Sequence, residues 1–135
     1  MKAKIFLYPV TIKEFHLDTF GHVNNAVYLM ILEEARWDLL NRNGYGMKKM
    51  QETQLGPTIL EIKISFLREF CLHDKIVIQT QMISYENKIA RLSQKMLRND
   101  VVCCQAELTV GLFDMKTRKL ISPTQEWLNA VGTAL

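Results

Sequence analysis

The chain has 135 residues, a length typical of one compact domain, so residues 1–135 are expected to form a single domain. Its 48% apolar and 23% charged residues exclude an intrinsically disordered or collagen-like chain. Seventeen Lys and Arg against 14 Asp and Glu give a net charge of +3. This small, dispersed charge does not indicate nucleic-acid binding, but it is compatible with a small polyanionic ligand.

The cysteines and the N-terminal residues indicate the cellular compartment in which the protein is expected. Cys71, Cys103 and Cys104 are an odd number without CxxC spacing, so they indicate neither a disulfide framework nor a metal site. The apolar patch Ile5–Tyr8 ends at Pro9 and is too short for a signal peptide or a membrane span. We therefore predict a cytoplasmic protein that needs no metal and does not enter a membrane.

The first two predicted elements are a strand and a long helix. Residues 5–12 are rich in β-forming side chains but contain a proline, which is typical of an edge strand or a bulge. From Asn25 to about Arg42, apolar residues fall on nearly every side of a helix, which predicts a buried helix. Asn24 or Asn25 can cap the start of this helix, and Gly44 can end it.

A run of strands follows the turn signal Gly56-Pro57. Residues 60–66 alternate between apolar and polar side chains, which predicts a strand with one solvent-facing side. The segments 75–85, 88–98 and 101–113 are separated by two-residue turns, as in hairpins. The last of these strands is apolar along one face and is predicted to be central.

The tail, residues 122–128, has Ser122 as a cap residue, Pro123 at the first helical position and Glu126 three residues further on. This pattern predicts a short C-terminal helix. The order of elements is then β–α–β–β–β–β. This order predicts an α+β fold in which a five-stranded antiparallel sheet surrounds one apolar helix.

The polar segment between the first strand and the helix carries the predicted chemistry. Gly21 can adopt a positive φ or allow a close backbone approach. Free N–H groups at the helix start, including that of Asn25, can bind developing negative charge. Asp18 supplies a carboxylate seven residues earlier, so the segment predicts an acyl-transfer site. A thioester is the substrate that fits this site best. Its leaving group is a thiol with a pKa of about 8.5, which can depart as a thiolate without a strong general acid.

The same segment carries a motif that resembles the signature of the hotdog-fold 4-hydroxybenzoyl-CoA thioesterase family. The motif is Asp18-Thr-Phe-Gly21-His22-Val23-Asn24-Asn25-x-x-Tyr28, followed by Glu33-x-Ala35-Arg36. Downstream, the resemblance continues through Ser65-Phe66-Leu67-Arg68-Glu69, Asp74, and Asp114–Lys119 before Pro123. It therefore covers nearly the whole chain.

The resemblance implies a hotdog fold and hydrolysis of an acyl-CoA to the free acid and CoA, without a metal or organic cofactor. It implies that Asp18 is the catalytic residue, either as nucleophile through a mixed anhydride or as general base. The backbone N–H of Asn25 would polarise the thioester carbonyl. The resemblance also implies a homodimer or homotetramer with the acyl site at the subunit interface. One departure is His16, which occupies a position that is acidic in many relatives.

Other residues of the motif are given supporting roles. His22 is expected to fix the loop by hydrogen bonds, and Asn24 to cap the helix. Tyr28 is expected to pack in the core, with the acyl pocket as an alternative. Glu33 is of interest because a carboxylate on an apolar helix must be satisfied or lie at an interface. The resemblance implies that it is a reserve candidate for the catalytic group, since some hotdog thioesterases use a helix carboxylate in that role.

Two basic residues are candidates for CoA binding. Lys88 and Arg91 stand at the start of a predicted strand, where relatives place basic residues near the CoA phosphates. The alternative is a strand end exposed to solvent.

Two other functions stay open from the sequence. One is a hotdog domain that binds acyl-CoA or acyl-carrier protein without turnover; Asp18 argues against it, because a binder needs no carboxylate beside the thioester. The other is a hotdog hydratase or dehydratase, which would use His16 or His22 with an acidic partner. The acyl group itself and the choice between CoA and acyl-carrier protein are not fixed by the sequence.

Overall fold

The computed structural model describes residues 2–133, which form one antiparallel sheet and three α-helices. The helices are α1 (Asn25–Arg42), α2 (Met47–Thr53) and α3 (Gln125–Ala130), and a single 3₁₀ turn spans Glu14–His16. The strands are β1 (Ile5–Thr11), β2 (Leu55–Phe66), β3 (Lys75–Glu86), β4 (Ile89–Arg98), β5 (Val101–Asp114) and β6 (Lys119–Ile121).

The strands are arranged in the order β1-β3-β4-β5-β2, and β6 pairs with the end of β5. The two hairpins β3–β4 and β4–β5 are present as predicted. β5, which was predicted to be central, pairs with β4 on one side and with β2 on the other, so it is an inner strand, but the middle strand of the sheet is β4. The apolar face of β5 is buried from Cys104 to Leu112.

The predicted count of five strands is wrong by one, since the sheet has six. The additional strand, β6, has three residues and pairs with Leu112–Asp114 after a turn in which Arg118 has a φ of 62°. Three residues are too few for the alternation of side chains to be recognised.

Two local features also differ from the sequence prediction. The seven-residue helix α2 was not predicted, because about two turns with Met47 and Met50 as their only apolar residues are too short to show a periodicity. The C-terminal helix is capped by Thr124, whose hydroxyl accepts a hydrogen bond from Trp127 N at 3.1 Å, and not by Ser122. The bounds of α1 agree with the prediction, and Asn24 is its N-cap.

Helix α1 lies across one face of the sheet. Ile31, Leu32 and Ala35 are buried in one core cluster with inward-facing side chains of the sheet, including Ile78 and Leu108. The sheet of one chain covers only one side of the helix. On the other side Leu29 is 38% exposed and Met30 is 62% exposed. Among residues 2–133, no helix is long and apolar enough to cross a membrane.

The two edges of the sheet differ. β1 has seven residues and contains Pro9, which removes one hydrogen-bond donor from the edge. β2 has 12 residues, and its side chains Ile59, Leu60, Ile62 and Phe66 are 37–49% exposed. A long apolar edge strand is an unpaired surface that proteins normally cover.

Candidate active site

The loop before α1 is a tight turn held by the carboxylate that it contains. Asp18 Oδ1 accepts hydrogen bonds from Phe20 N at 2.9 Å and from His22 N at 3.3 Å. The backbone N–H of Asp18 donates to His22 O at 2.9 Å, and Gly21 has a φ of +81°. Within residues 2–133, no donor is bound to Oδ2, so that oxygen is available to a substrate.

The start of α1 presents a free amide next to this loop. Asn24 Oδ1 accepts a hydrogen bond from Ala26 N at 2.9 Å, and Asn24 O accepts from Val27 N at 2.9 Å. In the described part of the chain, the N–H of Asn25 has no acceptor. This amide and the dipole of an 18-residue helix favour a partial negative charge at the same point.

His22 links the loop to the segment between β2 and β3. Its Nε2 lies 3.0 Å from Glu69 Oε2, and both side chains are about half exposed. Arg98 Nη1 holds the same segment by donating to Glu69 O at 3.0 Å and to Asp74 Oδ2 at 2.7 Å. The expected role of His22 in fixing the loop has a clear partner in Glu69, which stands in the motif quoted above but was given no role there.

A depression of about 310 Å³ opens beside the start of the helix. Tyr28 forms its floor, 4% exposed, with its ring edge-on to Phe66 at 5.0 Å and stacked on Phe70 at 5.7 Å. Burial raises the pKa of the Tyr28 hydroxyl, so Tyr28 is neutral and packs as expected. The lining residues are Val23, Asn25, Tyr28, Phe66, Leu67, Arg68 and Glu69.

A cysteine behind this floor offers no nucleophile. Burial raises the pKa of the Cys104 thiol to about 11, and the neighbouring Cys103 adds to the shift. A thiol with such a pKa stays protonated near neutral pH, and it is the thiolate that attacks a thioester.

His16, which replaces an acidic residue of many relatives, is a structural residue. It is buried, and its Nδ1 accepts a hydrogen bond from Lys13 N at 2.9 Å. Its carbonyl oxygen accepts from Asn24 N at 3.4 Å. His16 therefore anchors both ends of the loop that carries Asp18.

Glu33 does not join the other candidates. It follows Asn25 by eight residues on α1, which is about 12 Å along the helix axis. Its Oε1 accepts a hydrogen bond from Trp37 Nε1 at 3.4 Å. The structure thus separates the reserve candidate from the loop that holds Asp18.

Lys88 and Arg91 are also remote from Asp18 within one chain. Arg91 pairs with Thr109 on β5, whereas Phe66, beside the helix start, pairs with Cys104, so about 17 Å of strand separates them. Arg91 projects from the side of the sheet opposite α1, and its Nη1 lies 3.3 Å from Glu107 Oε1. Lys88 stands in the turn before β4.

A second cavity lies under the C-terminal half of α1 and was not foreseen. Its volume is about 190 Å³, and it is lined mainly by apolar side chains. No sequence motif marks it, because its walls come from every long strand and from two helices. The lining residues are Phe6, Glu33, Arg36, Trp37, Leu39, Leu40, Pro57, Ile59, Thr80, Met82, Leu92, Val110, Trp127 and Val131.

Comparisons with known proteins agree with this architecture. A family model described as the thioesterase-like superfamily matches residues 10–131. The long-chain acyl-CoA thioesterase FadM of Escherichia coli is 33% identical over 115 residues, covering 84% of this chain and 86% of FadM. The acyl-CoA thioesterase YbgC of Haemophilus influenzae is 23% identical over 122 residues, covering 90% of each chain.

A solved structure extends the likeness to the fold. The crystal structure of the probable thioesterase YbaW from Escherichia coli superposes with a TM-score of 0.81 at 30% identity, covering 93% of this chain and 95% of that one. The chain therefore belongs to the thioesterase-like superfamily. It is a thioester hydrolase with an α+β hotdog fold, as the motif around Asp18 predicted.

Proposed function

We propose that residues 1–135 act as one hotdog domain that hydrolyses acyl-CoA to the free acid and CoA, with Asp18 as the catalytic residue. The observations that carry the proposal are a carboxylate oxygen free of donors in the loop directly before α1 and a free amide at the start of that helix. FadM and YbgC, which resemble this chain over most of its length, are both named as acyl-CoA thioesterases.

The chemistry follows from these two groups. The N–H of Asn25 donates a hydrogen bond to the thioester oxygen and stabilises the negative charge that develops there. Asp18 Oδ2 either attacks the carbonyl carbon, giving a mixed anhydride that water then cleaves, or removes a proton from an attacking water. In both routes the C–S bond breaks and CoA leaves as a thiolate. A burst of CoA ahead of free acid would mark the nucleophilic route.

His22 and Glu69 are positioning residues in this proposal. Their 3.0 Å contact ties the loop to the wall of the depression, which keeps Asp18 next to the helix start. The same pair is the histidine and acid that a hotdog hydratase would need. Membership of the thioesterase-like superfamily favours hydrolysis, and assays with a 2-enoyl-CoA distinguish the two reactions.

We also propose that the protein is a homodimer built through β2. Its unpaired edge and its exposed apolar side chains would be covered by β2 of a second copy around a two-fold axis. Ile62→Asp should give a monomer by size-exclusion chromatography with light scattering. Ile83→Asp, on the other face of the sheet and 48% exposed, should leave the dimer intact. If the Ile62→Asp variant is still a dimer, the proposed interface is wrong. The molar mass of the wild type in the same light-scattering experiment distinguishes a dimer from a tetramer.

The CoA site is proposed to span two copies. Because Lys88 and Arg91 are far from Asp18 of their own chain, they would bind the phosphates of a CoA whose thioester lies at the helix start of the second copy. Acyl-carrier protein is kept as an alternative carrier. A cytoplasmic location stays a prediction that depends on the cysteine pattern.

The experiment is release of free thiol from acyl-CoAs of different chain length, with wild type compared with Asp18→Asn. We expect turnover to fall about 100-fold or more, since one transition-state group is lost. Asp100→Asn, in an exposed turn, makes the same change of charge and should keep wild-type activity. If wild type and Asp18→Asn both bind acyl-CoA and neither hydrolyses it, the protein is a binding module and the proposal is wrong.

A further inference from the structure

Several strongly exposed apolar side chains surround the candidate active site. Phe20 and Phe15, in the loop before α1, are 82% and 77% exposed, more than any other large apolar side chain of residues 2–133. Leu67 and Leu72, in the segment between β2 and β3, are 54% and 39% exposed. Single exposed apolar residues are ordinary on a protein surface, whereas a group of them marks a place where another apolar surface binds.

The loop and the segment after β2 adjoin each other along their length. His73 N donates a hydrogen bond to Ile12 O at 2.8 Å, just before the loop. At the other end of the loop, His22 Nε2 lies 3.0 Å from Glu69 Oε2. The two stretches therefore run side by side in opposite directions and form one surface. We call its exposed apolar side chains the rim patch, which consists of Phe15, Phe20, Leu67 and Leu72.

The backbone that carries the rim patch is fixed by hydrogen bonds. Phe20 N donates to Asp18 Oδ1 at 2.9 Å, and the ring of Phe15 lies 4.4 Å from the ring of the buried His16. On the adjoining segment, Arg98 Nη1 donates to Glu69 O at 3.0 Å. The rim patch is therefore a preformed part of the folded domain.

Positive charge borders the rim patch. Glu69 and Asp74 are each paired with a basic side chain of the same region, at 3.0 Å and 2.7 Å, so they add little net negative charge. Glu14 is the one exposed carboxylate of the loop. Aromatic side chains beside cations are complementary to an anionic lipid surface. Within residues 2–133, three exposed cations of this region make no ion pair: Lys13, Arg68 and Lys75.

We propose that the rim patch docks on an anionic phospholipid bilayer, with Phe15 and Phe20 inserted among the lipid headgroups. The three cations then lie against the lipid phosphates. A protein held in this way lies on the bilayer without crossing it.

The docking would orient the site toward the lipid. Asp18 stands between Phe15 and Phe20 in the loop, and Leu67 lines the depression beside Asn25. An acyl-CoA is an amphiphile, whose acyl chain partitions into a bilayer while its anionic part stays in water. This consequence for substrate access rests on the proposed function, whereas the docking itself does not.

The test measures binding to vesicles and needs no turnover. The protein is mixed with vesicles of phosphatidylcholine alone or of phosphatidylcholine and phosphatidylglycerol in equal parts, and flotation separates the bound fraction. We expect wild type to prefer the anionic vesicles. The double variant Phe15→Ser/Phe20→Ser should bind them about tenfold more weakly or worse, because two rings no longer leave water.

A matched control removes apolar surface elsewhere. Ile5→Ser/Leu7→Ser exchanges two side chains that are 55% and 54% exposed at the start of β1, and it should bind vesicles as wild type does. Ile5 precedes Thr11 by about 20 Å of strand, so this control lies away from the loop. Thermal unfolding verifies that each variant is folded.

The electrostatic part of the docking has its own variant. Lys13→Gln/Arg68→Gln should weaken binding to the anionic vesicles about tenfold, and added salt should weaken wild type more than this variant. Lys48→Gln/Lys116→Gln removes two exposed cations outside the region and should keep wild-type binding.

Three outcomes would overturn the inference. Wild type could fail to bind the anionic vesicles, or a folded Phe15→Ser/Phe20→Ser could bind them as well as wild type does. The third is a change of this variant from a dimer to a monomer in light scattering, because a second copy of the chain then covers the rim patch. Each outcome leaves thioester hydrolysis untouched. Conversely, vesicle binding without hydrolysis would contradict only the proposed function.

Discussion

The two halves of α1 differ in what holds them. At the start of the helix and in the loop before it, exposed groups close in sequence form the hydrogen bonds. Asn24 Oδ1 accepts from Ala26 N, and Asp18 Oδ1 accepts from Phe20 N. Further along, Leu32 O accepts from Gln94 Nε2 at 3.0 Å and Arg36 donates to the same side chain, both beneath the helix. One helix therefore has a solvent-accessible end and an end that is anchored to the sheet.

The accessible start of α1 therefore serves the reaction, and its buried part serves the stability of the fold. A catalytic carboxylate and a free amide must be reachable by substrate, so their surroundings cannot be fully buried. The buried network around Gln94 keeps the helix fixed on the sheet, which in turn fixes the N–H of Asn25 in space. We expect substitutions in the two halves to have different signatures, on unfolding in one and on activity in the other.

The largest expected effect on stability is at Gln94. Gln94→Leu removes the acceptor of Arg36 and the donor to Leu32 O, and it leaves a guanidinium in the interior whose pKa burial already lowers. We expect a loss of about 2–4 kcal/mol in the free energy of unfolding, measured with urea. Gln105→Leu, on the exposed face of β5, should cost less than about 0.5 kcal/mol. Equal stability of the two variants would show that the network does not anchor α1.

The sequence predicted the exposed end of α1 better than the buried end. The helix bounds, the Asn24 cap and the placement of Asp18 before the helix followed from local signals, since turns, caps and periodicity depend on neighbours in the chain. The family motif added the fold and the thioester chemistry, both confirmed. The β6 strand and α2 were missed because each is too short to show a period.

The buried end depends on residues that are distant in sequence. Gln94 is one polar residue in an ordinary strand pattern, and nothing local shows that it lies beneath Arg36, 58 positions earlier. The cavity is likewise invisible in any single segment. The same reason explains why Lys88 and Arg91 could be noticed as basic residues but not placed relative to Asp18.

The smallest expected effect is at the exposed end, where pH can weaken the wall of the site. Asp74 holds the segment that carries Glu69. Burial raises the pKa of Asp74, but hydrogen bonds from Cys71 N at 2.8 Å and from Arg98 outweigh it and hold this pKa below its usual value. Since the folded pKa is depressed, the stabilisation is complete above the unfolded pKa of about 3.9 and disappears as the pH falls through the folded value.

Asp74→Asn should therefore lower the free energy of unfolding by about 1 kcal/mol at pH 7. The difference from wild type should shrink below about pH 4, where both carry a neutral side chain. Urea unfolding between pH 3 and pH 7 measures this, with Asp100→Asn as the exposed control that makes the same charge change. A difference that stays constant over this range would mean that the hydrogen-bond geometry, and not the charge of Asp74, stabilises the wall. In either case the effect should remain smaller than that of Gln94→Leu, because the Asp74 and Arg98 side chains keep 24% and 29% of their surface in water.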